Sequence, residues 1–486
     1  MPMLSFLLLA VAATPSPAPI PDTPAGRRFA DVMALTDAGD APGLSAYVKA
    51  HFTAGMQKAN PGDEGIDAFL AGHAKTFGGF EVVRALSSEG DQVTMLVRPR
   101  GQQNLWLRYI VKVESVPPHR VEGLFLMPAA PGDIPKDGGA LTPEAAILAL
   151  AKEVDRAVEA GRFSGVVLLA RGSEIAYQRA AGEANRDLHV PVKPETVFGL
   201  ASMNKMFTAV ALARLVEQGK IAWTDPVGKH LKGWLPEAHE RSITIEQLLT
   251  HTAGLGDYLG QIDKDPKLRE ARSLAPYRDL VRTSPVEGTP ADGLRYSNTG
   301  YLVLGALIEA VTGRDYFDVV REEIYARAGM TRTDSWCRDE IIENRATGYV
   351  PPEHAEVLGL GRGWRTNALL QGTRGTSAGG GWATAGDLLR FARALVEGRL
   401  VKPATLDALL TPRVRFPVGG SYAYGFVVHD AGGGKRTYGH SGGFPGVSGE
   451  LRVYGDGLWT LVVLSNVASG AGDIVGAWDG IEARVR

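Results

Sequence analysis

A single cysteine, Cys337, stands among 486 residues, so the chain can form no intramolecular disulfide. Its neighbours Asp334-Ser335-Trp336 and Arg338-Asp339 offer no recognisable partner for a reactive thiol, and a passive one is expected. No apolar run reaches the ~20 residues that an ordinary membrane-spanning helix needs. Blocks of lysine or arginine are missing, and the formal net charge is −2, which leaves no electrostatic footprint for nucleic acid. No His, Asp, Glu or Cys cluster has metal-ligand spacing, so neither a metal nor another cofactor is expected.

What is present suits a globular protein with a large core: 44% of residues are apolar and 22% charged. Glycine is abundant, at 60 residues, with clusters at Gly379-Gly380-Gly381 and Gly432-Gly433-Gly434. Such clusters suit close approach of backbone to a ligand. The extreme N-terminus, Leu4 to Ala13, is a short apolar run with a small-residue site at Ala10-Val11-Ala12, followed by Thr-Pro-Ser-Pro-Ala-Pro. Residues 1–22 are therefore expected to be a signal peptide and Pro-rich linker, with a periplasmic or secreted destination. No cysteine lies there to carry a lipid anchor.

Residues 23–128 read as a small α+β domain. Helical spacing runs through Arg28–Leu35, Leu44–Phe52 and Ile66–Phe77. Four strand-like segments follow, at Phe80–Leu86, Val93–Arg98, Leu105–Val113 and Arg120–Met127. Helices followed by a meander resemble the curved-sheet cone of the nuclear transport factor and cystatin type. No chemistry is assigned to this part. A second linker, 129–140, is rich in Pro and Gly. Thr142-Pro143-Glu144 then carries the cap, N1 proline and first-turn acid of a helix start, opening a domain over 141–486.

The chemistry is concentrated in that domain. Ser202 and Lys205 lie three apart at the head of an apolar run to Val216, a spacing that places amine and hydroxyl on one helical face. A serine needs a base to become a nucleophile, and a lysine serves if desolvation leaves it partly neutral. The run predicts a core helix with Ser202 in its first turn, where the dipole favours negative charge. Tyr296 and Asn298 follow; taken alone, Ser-Asn-Thr-Gly there also suits a simple turn. Gly439-His440-Ser441-Gly442-Gly443 comes last.

The segments Phe198 to Lys205, Leu248 to Leu255, Tyr296-Ser297-Asn298 and Gly439 to Gly443, in this order, resemble the β-lactamase-related serine hydrolases. That group includes class C β-lactamases, low-molecular-weight penicillin-binding proteins, D-aminopeptidases and family VIII carboxylesterases. The resemblance covers about Leu141 to the C-terminus. It implies an α/β fold, an antiparallel sheet from both ends of the domain flanked by helices, with a helical lobe inserted. It also implies Ser202 as nucleophile, Lys205 as its proton acceptor and Tyr296 as a second acid/base. Asn298 would bond Lys205 or the substrate, the N–H groups of Ser202 and Gly443 would form the oxyanion hole, and His251 would be architectural. The site is expected where the Ser202 helix meets the sheet edge at His440–Gly443.

The third motif departs from the family's Lys-Thr-Gly. His440 replaces the lysine, and an imidazole is largely neutral at pH 7 to 8, so anchoring of a substrate carboxylate weakens. The expected function is an acyl-enzyme hydrolase of small esters or amides, of carboxylesterase or D-aminopeptidase type. A β-lactamase or D-alanyl-D-alanine carboxypeptidase is the alternative, and a penicillin sensor without turnover the non-enzymatic one. Gly-His-Ser-Gly-Gly also fits the nucleophile elbow of α/β-hydrolases, but no histidine follows Ser441 to complete that triad. The pocket is expected near Tyr258 and Leu360–Gly375, with Trp364 and Arg365 either walls or surface.

Overall fold

The computed structural model describes residues 20–486 apart from 59–65, 68–69, 73–77, 101–104, 130–132, 136–138, 263–264, 285, 287, 290–291, 417–419, 433–434 and 469. The signal-peptide reading rests almost entirely on residues outside the described ones, as do Gly433, Gly434 and much of the helix expected at Ile66–Phe77. Two compact units divide between Met127 and Pro128.

In the first unit, Thr23 caps helix α1 (Pro24–Asp37), its hydroxyl accepting from the Gly26 N–H at 3.1 Å. Phe29, Val32, Met33 and Thr36 repeat at helical spacing and are buried. After α2 (Ala41–His51) comes an antiparallel meander of β1 (Phe80–Glu89), β2 (Gln92–Pro99), β3 (Leu107–Val113) and β4 (Val121–Pro128). Alternate residues Val93, Met95 and Val97 of β2 and Tyr109, Val111 and Val113 of β3 share a core with Phe29 and Val32.

The second unit opens with α3 (Pro143–Glu159), where the Thr142 hydroxyl accepts from the Ala145 N–H at 3.2 Å. Its sheet takes β5 (Gly165–Arg171) and β6 (Glu174–Ala181) from the start of the domain. From the end come β9 (Val414–Arg415), β10 (Ser421–Tyr422), β11 (Val427–Gly432), β12 (Lys435–Phe444), β13 (Val447–Tyr454) and β14 (Trp459–Ser465). The order is β9-β10-β11-β12-β13-β14-β5-β6, antiparallel throughout. A separate pair joins β7 (Phe198–Ala201) to β8 (Gly381–Ala383).

The sheet is covered on both faces, and that is why β5 reads Val-Val-Leu-Leu-Ala without polar alternation. Val166, Leu168 and Ala170 pack with the inserted helices α4 (Asn204–Glu217), α5 (Asn298–Thr312) and α6 (Ala385–Val396). Val167 and Leu169 pack with α3 and α7 (Gly472–Glu482) on the other face.

The edge expected at His440–Gly443 is not the edge of the sheet, because β12 is an interior strand. It is a local edge made by register. β11 pairs with β12 only as far as Val427 opposite Gly439, whereas β13 follows it to Val447 opposite Phe444. Residues 440–444 overhang, and β7 packs at that overhang. A Cβ on Gly442 would lie 2.0 Å from the Leu200 carbonyl oxygen, so the glycine is what lets the two backbones pass. Neither backbone can yield cheaply. Gly442→Ala is expected to cost about 2–3 kcal/mol in denaturant unfolding, while Gly443→Ala changes stability by no more than about 0.5 kcal/mol. The contrast follows from Gly443 having no atom within 4 Å of its absent Cβ.

Candidate active site

Strand β7 delivers Ser202 through a strained residue. Ala201 has φ 44°, in the left-handed region that L-residues with a Cβ enter at a cost of roughly 1–2 kcal/mol. The neighbouring strand holds it there: Gly381 pairs with Ala201, and the Gly380 N–H donates to the Ala201 carbonyl at 3.1 Å. Glycine at 379 keeps this contact open, since a Cβ there would lie 3.0 Å from the same carbonyl oxygen. Ser202 stands just before the helix, a correction to the first-turn placement. Helix α4 starts at Asn204, and the Lys205 N–H reaches the Ser202 carbonyl at 3.0 Å. The three-residue spacing still closes, because that turn is already wound.

Lys205 is fully buried, at 0% exposure. Its ammonium nitrogen lies 3.0 Å from Ser202 Oγ, 2.7 Å from Asn298 Oδ1 and 2.7 Å from the Ala378 carbonyl. Burial drives the pKa down to about 7, with Asp257 pulling weakly the other way. Near neutrality the amine is therefore available as a free base in contact with the serine hydroxyl.

Tyr296 and Asn298 straddle a helix start rather than a turn. Ser297 caps α5 by accepting from the Gly300 N–H at 3.2 Å, which puts Asn298 in the first helical position. The Tyr296 hydroxyl hydrogen-bonds Ser202, and its ring centroid is 4.8 Å from the Lys205 nitrogen. Burial pushes this phenol above its ordinary pKa, so it stays protonated through neutral pH. Ser202 thus lies between an amine that can take a proton and a phenol that can give one.

Asn298, His440 and Gly443 are the residues expected to bind substrate, and His440 departs from that expectation. Its side chain is 2% exposed and does not line the cavity beside Ser202. Nδ1 faces the Ser441 carbonyl at 2.6 Å, so that nitrogen carries the proton, and Nε2 accepts from the Tyr422 hydroxyl at 2.9 Å. With burial and the nearby Lys205 charge, its pKa falls to about 3. A neutral imidazole held between the Ser441 carbonyl and the Tyr422 hydroxyl supplies no charge to a substrate. Gly443 and Asn298, by contrast, do line the cavity with Ser202.

Three further groups complete the site, and of these only His251 lies in a motif, Leu248 to Leu255. The Ala378 carbonyl is a backbone atom, invisible to residue patterns. His251 has φ 58°, and its Nδ1 accepts from the Ser297 N–H at 3.1 Å, while its ring lies 4.1 Å from that of Tyr296. This histidine fixes the segment that carries the phenol. Asp257 holds Asn298, with Oδ2 2.7 Å from Nδ2 and 3.3 Å from the backbone N. Its one sequence signal is its place beside Tyr258, where the pocket is expected.

The cavity measures about 280 Å³. Tyr258, Leu259, Ile262, Trp336, Leu370 and Phe444 supply apolar wall, and Arg338 and Arg374 the charge. Among the described residues no Asp or Glu lines it. The loop ending at Gly375 contributes from Leu370 onward, but Trp364 does not line it: that ring stacks under Arg186 at 3.6 Å. Arg365 is exposed surface.

A half-buried serine at the cavity wall, set between a depressed-pKa lysine and a tyrosine on this sheet-and-helix frame, defines a serine hydrolase. Residues 150–485 match the Beta-lactamase family, and the chain belongs to it. Penicillin-binding protein 4* of Bacillus subtilis is 34% identical over 321 residues, 63% of this chain and 69% of that one. Esterase EstB of Burkholderia gladioli is 35% identical over 178 residues, 33% of this chain and 44% of its own. The crystal structure of a penicillin-binding protein from Bacillus halodurans superposes with TM-score 0.60 at 30% identity, covering 67% of this chain and 97% of that one.

The geometry sets a pH dependence. Ammonium at Lys205 cannot accept the serine proton, so kcat/KM should climb as pH rises through about 7 and level off above it. Tyr296, raised by burial, adds no fall on the alkaline side until well past pH 9. A profile flat from pH 5 to 9 would contradict the assignment of the base.

Proposed function

We propose that the protein hydrolyses small esters or amides through an acyl-enzyme on Ser202, as a carboxylesterase-type member of its family. The observation that carries this reading is the buried Lys205 amine, near-neutral and 3.0 Å from Ser202 Oγ. Lys205 takes the hydroxyl proton as Ser202 attacks the carbonyl carbon. The N–H groups of Ser202 and Gly443 receive the oxyanion, and Tyr296 passes a proton to the leaving group. A water, deprotonated by the same pair, then releases the acid.

Two features bear on the substrate. His440 is neutral, so the strand offers no fixed cation of the kind the family's lysine supplies. The cavity also has no carboxylate among its described lining residues, which disfavours a substrate with a free ammonium, as a D-aminopeptidase would take. A second reading, a β-lactam or acyl-D-alanine substrate, draws support from Arg338 and Arg374, which put positive charge in the wall. Export to the periplasm or medium is part of the proposal on the strength of the Leu4–Ala13 run, and a cystatin-type cone for the first unit on its helices and meander.

A p-nitrophenyl ester, a chromogenic cephalosporin and a D-alanyl amide should be compared by kcat/KM. The ester is expected to lead by about tenfold or more, with a burst and a covalent adduct that Ser202→Ala abolishes. Tyr296→Phe should lower kcat by about 10²-fold. Acylation with one turnover only would favour a sensor, and a lead for the cephalosporin would favour the second reading.

A further inference from the structure

The Lys205 nitrogen has three oxygen neighbours, Ser202 Oγ, Asn298 Oδ1 and the Ala378 carbonyl. An ammonium fills all three with its three N–H bonds. A free amine has only two N–H bonds and one lone pair, and the direction of that lone pair decides whether it can act as a base. The Ala378 oxygen accepts only, so an N–H must face it. Asn298 is different: its amide could present either oxygen or NH2 to the lysine. Were the NH2 group turned inward, it would donate to the lone pair and occupy it.

Asp257 removes that freedom. Oδ2 of Asp257 has only lone pairs to offer and sits 2.7 Å from Asn298 Nδ2, so the amide nitrogen must point outward and the amide oxygen inward. The carboxylate is itself fixed, since Oδ1 accepts from the Leu259 N–H at 3.0 Å and Oδ2 also faces the Asn298 backbone N–H at 3.3 Å. Building on the Lys205-as-base reading, we propose that Asp257 is a positioning residue for acyl transfer: it locks the Asn298 amide so that the lone pair of the free amine has only the Ser202 hydroxyl to face. Asp257 acts through Asn298 and is not among the residues lining the cavity.

The carboxylate also biases the charge on Lys205. The other titratable groups facing the amine are His251 and His440, both pushed below their ordinary range by burial, and Tyr296 and Tyr301, both pushed above it. All four are therefore uncharged near neutrality. That leaves Asp257 as the charged group acting on the amine, favouring the ammonium.

Two variants separate orientation from charge. Asp257→Leu removes both, whereas Asp257→Asn removes the charge and keeps one oxygen that can accept from Asn298. With a p-nitrophenyl ester, Asp257→Leu is expected to lower kcat by about tenfold or more with KM within about twofold, and Asp257→Asn to recover most of that loss. In both, the acid limb of kcat/KM should move to lower pH, a readout that a merely structural role would not shift. Acylation of Ser202, followed by intact-protein mass spectrometry, checks the underlying reading separately. If the parent enzyme is acylated at Ser202 but both variants keep its kcat and its pH profile, the role of Asp257 is overturned while the nucleophile stands. A rise in KM alone would overturn it too, by making Asp257 a substrate contact. Failure of the parent to acylate at Ser202 would remove the base reading and this inference together.

Discussion

Everything in the second unit is arranged around one buried amine. Lys205 lies on a helix with apolar neighbours on nearly every side, and a charged ammonium there is costly unless its N–H groups are met by oxygen. Three oxygens meet it, one from Ser202, one from α5 and one from the backbone before β8. Each comes from a different stretch of chain, so the site exists only once the helices and the glycine-rich strand segment have closed around α4. The desolvation that makes the amine expensive also makes it a base near neutral pH.

The sheet serves this arrangement through register. Because β11 stops short, β12 has a free stretch of backbone inside an otherwise continuous sheet, and β7 can pack at it where Gly442 has no side chain. That packing fixes the height of Ser202 relative to Gly443. Strain at Ala201 is tolerated for the same reason, since β8 and the Gly379-Gly380 backbone hold it from the opposite side. Burial of the sheet on both faces gives the frame the rigidity to maintain such a conformation.

The imidazole at 440 illustrates how a motif can keep its place and change its work. It holds the first position of the third motif, yet its two nitrogens are spent on the Ser441 carbonyl and the Tyr422 hydroxyl. Tyr422 in turn lies 4.7 Å from the His251 ring, and His251 lies against Tyr296. A polar group of the third motif is thus coupled by aromatic packing to the segment bearing Tyr296. The same burial that depresses the lysine keeps this imidazole neutral well below neutral pH.

Much was legible from residue order. The spacing of Ser202 and Lys205, the Tyr-x-Asn and His-x-Gly triplets, the capped start at Thr142 and the strands of the first unit follow from local rules of helix spacing, capping and alternation, which act between near neighbours in the chain. Tertiary structure alone decided the rest: that His440 turns to Tyr422, that the sheet edge is an overhang of an interior strand, and that Ala378 and Asp257 complete the surroundings of the lysine and its asparagine. Those outcomes join residues from about 18 to 173 positions apart. Hydrogen-bond direction and desolvation depend on what packs beside a group in space, and no local pattern in the chain records it.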